Sequence, residues 1–456
     1  MAKKKRREGL RGSDFMTFHP PLNPSRPRKI QFPSSSSHMS SPLGRESLMA
    51  SSSGLARASS RREFLHLVGA ALGAALPLSG AAQGTDLTKI QGFEQAARDT
   101  DLSAEWKPVS ERRIRVGIAG YGVCKFGAVF GFQDHPNVEV VAVTDLVPER
   151  CAALAQECRC SRTYPSLEEM IKDPRIEAVF VATDAPSHAR HCIAALKHGK
   201  HVAVAVPAVF GSLEDADLLW ETVLTTGLTY MMFETSAYHA DLHAMREIYR
   251  AGGLGKVVYS EGEYYHYIPV PIDSYQGWRI GLPPQWYPTH SNAYYTCVTG
   301  GSYTRVSCVG SPSLIEEFKA SNNAYRNPFG TEIALFQTSD GGSARMAVSW
   351  DTPGASGEMG RIRGQLGTFY GEYKGLAKTL PNLRRPPQPP GVAGAYSGHH
   401  GGSHGPLMNE FVTALLEKRT PLVNIAMALN LTVAGIVAHQ SALRDGEWMK
   451  IPQYRL

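Results

Sequence analysis

No Cys-x-x-Cys pair of the metal-binding kind occurs in these 456 residues. The seven cysteines are an odd number, and Cys158-Arg159-Cys160 is too tight for a zinc knuckle. They read as mostly buried thiols. Charge is sparse at 19%, and the net +6 comes from one end. Residues 1–62 hold 13 Lys and Arg against 3 Asp and Glu, while the remainder holds 34 against 38. The body is slightly acidic, so the basic balance gives no case for a nucleic-acid partner, and AKKKRREGLRG reads as a solvated tail. Two further gaps bear on chemistry. No strict G-x-G-x-x-G is completed at the first glycine turn, because Lys125 stands where the third glycine belongs. In GKHVAVAVPAVFG (199–211), the tripeptide Ala205-Val206-Pro207 contains nothing ionisable.

What is present is ordinary for a globular protein of two domains, with 43% hydrophobic residues. Residues 58–84, ASSRREFLHLVGAALGAALPLSGAAQG, have the form of a twin-arginine export signal. Arg61-Arg62 precede a weakly apolar run, and small residues follow at Ala81-Ala82. That run is shorter than the ~20 residues a spanning helix needs. Residues 1–57 are expected to be disordered or an over-extended start, with Met49 a sensible true start. Residues 58–82 are read as the signal and 83–111 as a linker. The mature protein is then periplasmic or exported, with no membrane attachment after cleavage.

From residue 112 the pattern changes. RRIRVGIAGYGV alternates β-branched residues and then turns glycine-rich; EVVAVTD, IEAVFVATD and KHVAVAV follow as apolar strands separated by helical stretches. This argues a doubly wound parallel sheet over 112–236, an α/β Rossmann domain. Gly120 and Gly122 sit at the strand-to-helix turn, where backbone can approach a pyrophosphate. Asp145 ends the second strand, placed to accept from ribose hydroxyls and repel a 2′-phosphate. No arginine follows it directly, so NAD is favoured over NADP.

Together these residues resemble the Gfo/Idh/MocA family of sugar oxidoreductases, with matching runs at 164–202, 254–264 and 409–418. The resemblance implies a second α+β domain over 237–456 with a large, open, mostly antiparallel sheet. It also implies a sugar bound between the domains, and pairing of copies through that sheet. It places Thr183, His188 and Pro207 beside the cofactor. Most members carry Glu-Lys-Pro at 205–207, the lysine relaying protons to the substrate hydroxyl. A narrower resemblance, to the NAD-dependent glycoside hydrolases of family 109, rests on Tyr287-Pro288-Thr289-His290, MMFETSAYH (231–239), GHHGGSHG (398–405) and EWMKIPQY (447–454). Those hydrolases have Glu-Val-Pro, so Val206 agrees and Ala205 departs.

The resemblance assigns His290 as acid/base at the oxidised carbon and Tyr287 as its partner for the neighbouring proton. Histidine titrates near neutrality, which suits that work. Three residues apart, the two would face the same way on a helical turn; the plain alternative is that both belong to an aromatic core. Tyr238 follows a strand end and is a third catalytic candidate. His239 and His243 are four apart, but no third ligand is near in sequence and no metal is expected. His266, Tyr396 and His400 are candidates for the sugar site, the last two from a loop that is either a lid or plain surface. Three functions stay open: redox-neutral glycoside cleavage with tightly bound NAD, an ordinary sugar dehydrogenase or sugar–sugar oxidoreductase, and a non-catalytic sugar- or nucleotide-binding protein. The partners expected are a sugar or glycoside and further copies of the chain.

Overall fold

The computed structural model describes residues 106–355, 357–395 and 400–456. Residues 1–57, the stretch 58–82 read as an export signal, most of the expected linker and Tyr396 lie outside the described residues.

Six strands form the first sheet: β1 (Ile114–Ala119), β2 (Val138–Thr144), β3 (Thr163–Tyr164), β4 (Ala178–Val181), β5 (His201–Val204) and β6 (Tyr230–Met232). All pair in parallel, in the order β3-β2-β1-β4-β5-β6. Their near-continuous apolar runs, such as the fully buried Ala178-Val179-Phe180-Val181, fit a sheet covered on both faces. The helices between them are α1 (Phe126–Val129), α2 (Pro148–Glu157), α3 (Leu167–Met170), α4 (His188–Lys197) and α5 (Leu213–Thr226). Ser212 caps α5 by accepting from the Asp215 amide at 3.0 Å, and Gly227 closes it at φ 64°.

α6 (Ala240–Arg250) leads to the second sheet. Its strands are β7 (Val257–Tyr265), β8 (Tyr303–Pro312), β9 (Phe329–Thr338), β10 (Ser343–Ser349), β11 (Gly357–Gly364), β12 (Gly367–Tyr370), β13 (Glu372–Gly375) and β14 (Met449–Lys450). They run β13-β12-β11-β7-β10-β9-β8-β14, and every pair is antiparallel except β7 with β10.

One face of this sheet carries α7 (Thr289–Thr299), whose residues from Thr289 to Val298 are all buried. A helix can sink so far only where the strands offer no side chains. Gly262 of β7 and Gly360 of β11 pair directly across the ladder. A Cβ on Gly262 would stand 2.8 Å from the Ser291 carbonyl carbon, and one on Gly360 would enter the Tyr294 ring.

The chain then passes through α8 (Pro390–Ala395), α9 (His404–Glu417) and α10 (Ile425–Ala442). By length and composition α10 could cross a membrane, with a mean hydropathy of 1.3, but 83% of it is buried inside the protein as a core helix. Although α9 belongs by sequence to the second domain, it returns to the first. Its Phe411 packs against Phe132 and Phe233.

Candidate active site

The glycine turn is built as the sequence implies, with one displacement. Gly120 has φ 97°, and a Cβ there would lie 2.6 Å from the Ala182 carbonyl carbon. Gly122, at φ 60°, has open space beside it, the side from which a pyrophosphate can approach. The close helix–strand contact of a third glycine is made by Gly127, where a Cβ would stand 2.9 Å from Leu154. Lys125 instead occupies a left-handed turn ahead of α1, at φ 55°. Asp145 accepts from the Tyr121 amide at 2.8 Å, the Gly122 amide at 3.3 Å and the Val147 amide at 2.9 Å. A carboxylate has about four acceptor sites, so capacity for a ribose hydroxyl remains.

Gly120, Gly122, Asp145 and Thr183 line one cleft, together with Cys124, Trp278 and Arg279. Arg150, five residues past Asp145, lines it as well. No arginine stands next to Asp145 in the chain, yet the first turn of α2 delivers this one to the same cleft. His188 and Pro207 form a clamp behind the cleft. The buried imidazole meets the Pro207 carbonyl at 2.8 Å through Nδ1 and the Thr183 carbonyl at 3.1 Å through Nε2. The tripeptide without ionisable groups is a packing element here. Ala205 and Val206 are buried, the Val206–Pro207 bond is cis, and Phe210 packs edge-on against Trp278 and Trp286.

His290 and Tyr287 do come together, with ring centroids 5.7 Å apart, but not on one helical turn. Tyr287 has non-helical backbone (φ −124°, ψ 53°) because Pro288 begins the helix after it. The Gln285 amide donates to Glu332 Oε2 at 2.7 Å, and Glu332 also meets His439 at 2.7 Å, fixing this turn to β9 and α10.

His290 lies in the first turn of α7, amid groups drawn from distant parts of the chain. Its Nδ1 is 2.9 Å from Glu234 Oε1, 3.2 Å from Thr235 Oγ1 and 3.5 Å from Glu358 Oε1. Glu358 also accepts from the hydroxyls of Thr235 and Ser236, and its Oε2 is 3.2 Å from His239 Nε2. Burial disfavours a charged imidazole at His290, but the carboxylates of Glu234 and Glu358 outweigh it and hold the pKa up to about 9. Burial likewise pushes the Glu234 carboxyl up, and the His290 charge more than reverses that. Glu234, His290 and Glu358 place one polar atom each within 4.8 Å of one another.

Tyr287 and the cleft are joined by Arg279. Its guanidinium lies 4.2 Å over the Trp278 ring and 5.9 Å from the Tyr287 ring centroid, so its charge acts on the Tyr287 phenol. Burial pushes that phenol up to about 12, with Arg279 pulling the other way. The ring of His400 stacks at 6.4 Å from His290, and its Nδ1 lies 3.0 Å from His404 Nε2. His266 stands one ring further off. It stacks on Tyr264 at 5.8 Å, and Tyr264 meets His290 edge-on at 4.5 Å.

Tyr238 is a correction. It is buried against Arg246, whose guanidinium is 5.3 Å from its ring centroid, and it lines a separate cavity with His243, Arg250 and Glu410. The short 3-10 turn Thr235–Tyr238 aims Thr235 and Ser236 at the His290 cluster and Tyr238 at that other cavity. His239 and His243 also diverge. His239 joins Glu358, while His243 Nδ1 lies 3.0 Å from Arg246 and its Nε2 3.0 Å from the Arg384 carbonyl.

Of the site residues that the sequence did not single out, Glu234 had a signal, since it directly follows the strand end at MMF, where doubly wound sheets place ligands. Glu358 had none, because it reaches the site from a distant strand, and Arg279, eight residues before Tyr287, belongs to no motif of its own. All seven cysteines are thiols, six of them buried and Cys124 partly so.

A nucleotide-type parallel sheet, a cleft at the carboxyl ends of its strands and a His–Tyr–Arg set fed by a second open sheet make up a dinucleotide-binding type of fold with polar groups gathered beside the cleft. Residues 114–234 match the Gfo/Idh/MocA family, described as an oxidoreductase family with an NAD-binding Rossmann fold. The matched stretch is 121 of the chain's 456 residues. Glycosyl hydrolase family 109 protein 1 of Bacteroides fragilis (strain YCH46) is 31% identical over 165 residues, 34% of this chain and 35% of that relative. The chain thus spans about a third of that relative's length. The glycosyl hydrolase family 109 protein of Saccharopolyspora erythraea is 24% identical over 343 residues, 68% of this chain and 73% of its own. Among solved structures, scyllo-inositol dehydrogenase from Lactobacillus casei, with bound NAD(H) and scyllo-inositol, shares the fold. Its TM-score is 0.57 at 16% identity, over 74% of this chain and 99% of that one.

Proposed function

We propose that this protein is an exported, NAD-dependent enzyme that cleaves glycosides without net oxidation, its cofactor remaining bound. The observation that carries this reading is the Arg279 bridge from the nucleotide cleft to Tyr287 and His290. Val206, in place of a proton-relaying lysine, favours it over a routine dehydrogenase, as do relatives named as family 109 glycosyl hydrolases. When bound, NAD⁺ would supply a reversible hydride acceptor at sugar carbon 3, held by Gly120, Gly122, Asp145 and Thr183.

His290, in its neutral form, takes the proton of the carbon-3 hydroxyl, and the carboxylates of Glu234 and Glu358 stabilise the imidazolium that results. The same preference holds its pKa up to about 9, so the oxidation step speeds up as pH rises toward that value. Oxidation at carbon 3 makes the carbon-2 hydrogen acidic, and Tyr287 handles that proton, with Arg279 stabilising its phenolate. The proton that Tyr287 has taken goes to the departing anomeric oxygen; water then adds, its hydroxyl to carbon 1 and its proton through Tyr287 to carbon 2, and His290 gives its stored proton back to the carbon-3 oxygen.

The outer face of the eight-stranded sheet exposes Val258, Val309, Leu335, Met359 and Tyr370, and we assign it to pairing with a second copy. Light scattering on purified protein tests that assignment. Export rests on Arg61-Arg62 and the apolar run after them, and cell fractionation tests it.

The deciding experiment incubates purified protein, without added NAD, with α- and β-linked aryl glycosides. Released aglycone and absorbance of NADH are followed together. Aglycone without net NADH supports the reading. No release, with NADH formed once NAD⁺ and free sugars are added, makes the protein a sugar dehydrogenase.

A further inference from the structure

Glu358 is placed where a structural carboxylate has little reason to be. It reaches from β11, an inner strand of the second sheet, to the turn that ends the first sheet. Its side chain is only 5% exposed. Four groups from three elements converge on it: the hydroxyls of Thr235 and Ser236, His239 Nε2 and His290 Nδ1. Its own backbone is fixed by the Tyr294 hydroxyl, which donates to the Glu358 carbonyl at 2.9 Å from one turn along the helix that carries His290.

Glu234 already supplies His290 with one ion-pair partner. One buried carboxylate and one imidazolium make a neutral pair. A second carboxylate on the same nitrogen is costly to bury unless it does something more.

We propose that Glu358 is a positioning residue for His290. With Glu234 it brackets Nδ1 from two sides, fixes the ring, and commits the other nitrogen, Nε2, to the sugar. This deepens the proposed function and rests on its assignment of His290. His239 Nε2 also meets Glu358, 3.2 Å from its Oε2. The titratable and charged groups facing His290 are Glu234 from the β6 end, Glu358 from β11, Tyr264 from β7 at 4.5 Å, Tyr287 at 5.7 Å and His400 at 6.4 Å. Of these only the two carboxylates favour the cationic ring directly.

The test is Glu358→Gln, which keeps the shape and the hydroxyl partners but removes the charge. Glu358→Asp, which keeps the charge but draws it back by one methylene, is the graded control. Two readouts are used on the NAD-loaded, full-length protein. The first is the ¹⁵N titration of His290, which needs no substrate and is assigned by its loss in His290→Gln. Glu358→Gln is expected to lower the midpoint by one pH unit or more, and Glu358→Asp to lower it by a smaller, measurable amount. The second is the pH profile of kcat/KM for an aryl glycoside. There the acidic limb should move down by the same amount, with kcat reduced about tenfold and KM for the sugar nearly unchanged.

If Glu358→Gln leaves the His290 titration where it is, the proposal is overturned, whatever the activity. If the titration moves but no glycoside is cleaved by any form, the positioning role stands and the glycosidase reading falls. Should Glu358→Gln fail to fold, Glu358→Asp decides alone, and an unmoved His290 midpoint in that variant overturns the proposal.

Discussion

Gly262→Ala is the substitution that tests most directly how the site is held. Gly262 has no left-handed backbone to lose, so the effect is purely steric. The new methyl would stand 2.8 Å from the Ser291 carbonyl carbon, against an ordinary contact of 3.4 Å or more. Met346 Sδ, also at 2.8 Å, blocks sideways escape. The Ser291 carbonyl oxygen stands nearer still, so the helix carrying His290 must lift by ~1 Å or more. That lift takes the 2.9 Å bond between His290 and Glu234 to about 3.9 Å, outside the ~2.7–3.2 Å range of a good N–H···O bond. A charge-assisted bond is worth about 1.5–3 kcal/mol, and overpacking costs about 1–3 kcal/mol. Misplacing a catalytic group by ~1 Å costs on the order of a hundredfold, so a lift of that size predicts kcat down by about a hundredfold. Thermal unfolding should fall by several degrees, while NAD content, set by a different domain, stays at the wild-type level. The assay is kcat on an aryl glycoside beside a melting curve and the NAD released on denaturation. Wild-type rate and melting in Gly262→Ala would refute the seating of the helix on the paired glycines.

His290→Ala is expected to abolish turnover, by at least a hundredfold, with NAD still bound; full activity in that variant would remove His290 from the site. Asp145→Ala removes three backbone bonds of 2.8–3.3 Å as well as the ribose acceptor. It should weaken NAD retention tenfold or more, measured as cofactor lost on dialysis. Stability should also depend on pH in a stated direction. The folded-state pKa of His290 lies above its unfolded value, so its contribution is fully present below pH ~6.5 and is lost as pH rises through about 9. Urea unfolding at pH 6.5 and pH 9.5 should show wild type losing more stability than His290→Asn over that interval.

Much of this architecture is legible in the chain itself. Apolar strand runs, Gly120, Gly122 and Asp145 announce a parallel nucleotide-binding sheet, because local geometry demands those residue types in that order. Tyr287-Pro288-Thr289-His290 marks a candidate site through its resemblance to the family 109 hydrolases, a motif that can be matched because its members are close in sequence. Less legible is anything assembled across the fold. β3 is only two residues long and leaves no periodic signal. Gly127 takes over a contact that the usual spacing assigns to position 125. Tyr238 follows a strand end as ligand-binding residues do, yet a single 3-10 turn sends it to the wrong side. Glu234 and Glu358 are 124 positions apart (358 less 234), and Arg279 arrives from the segment leading into the Tyr287 turn. Local sequence determined which residues could do proton chemistry and where a dinucleotide could rest. Only the tertiary structure decided which nitrogen of His290 is bracketed, since burial and the two carboxylates that set its charge come from elements the chain joins only by folding.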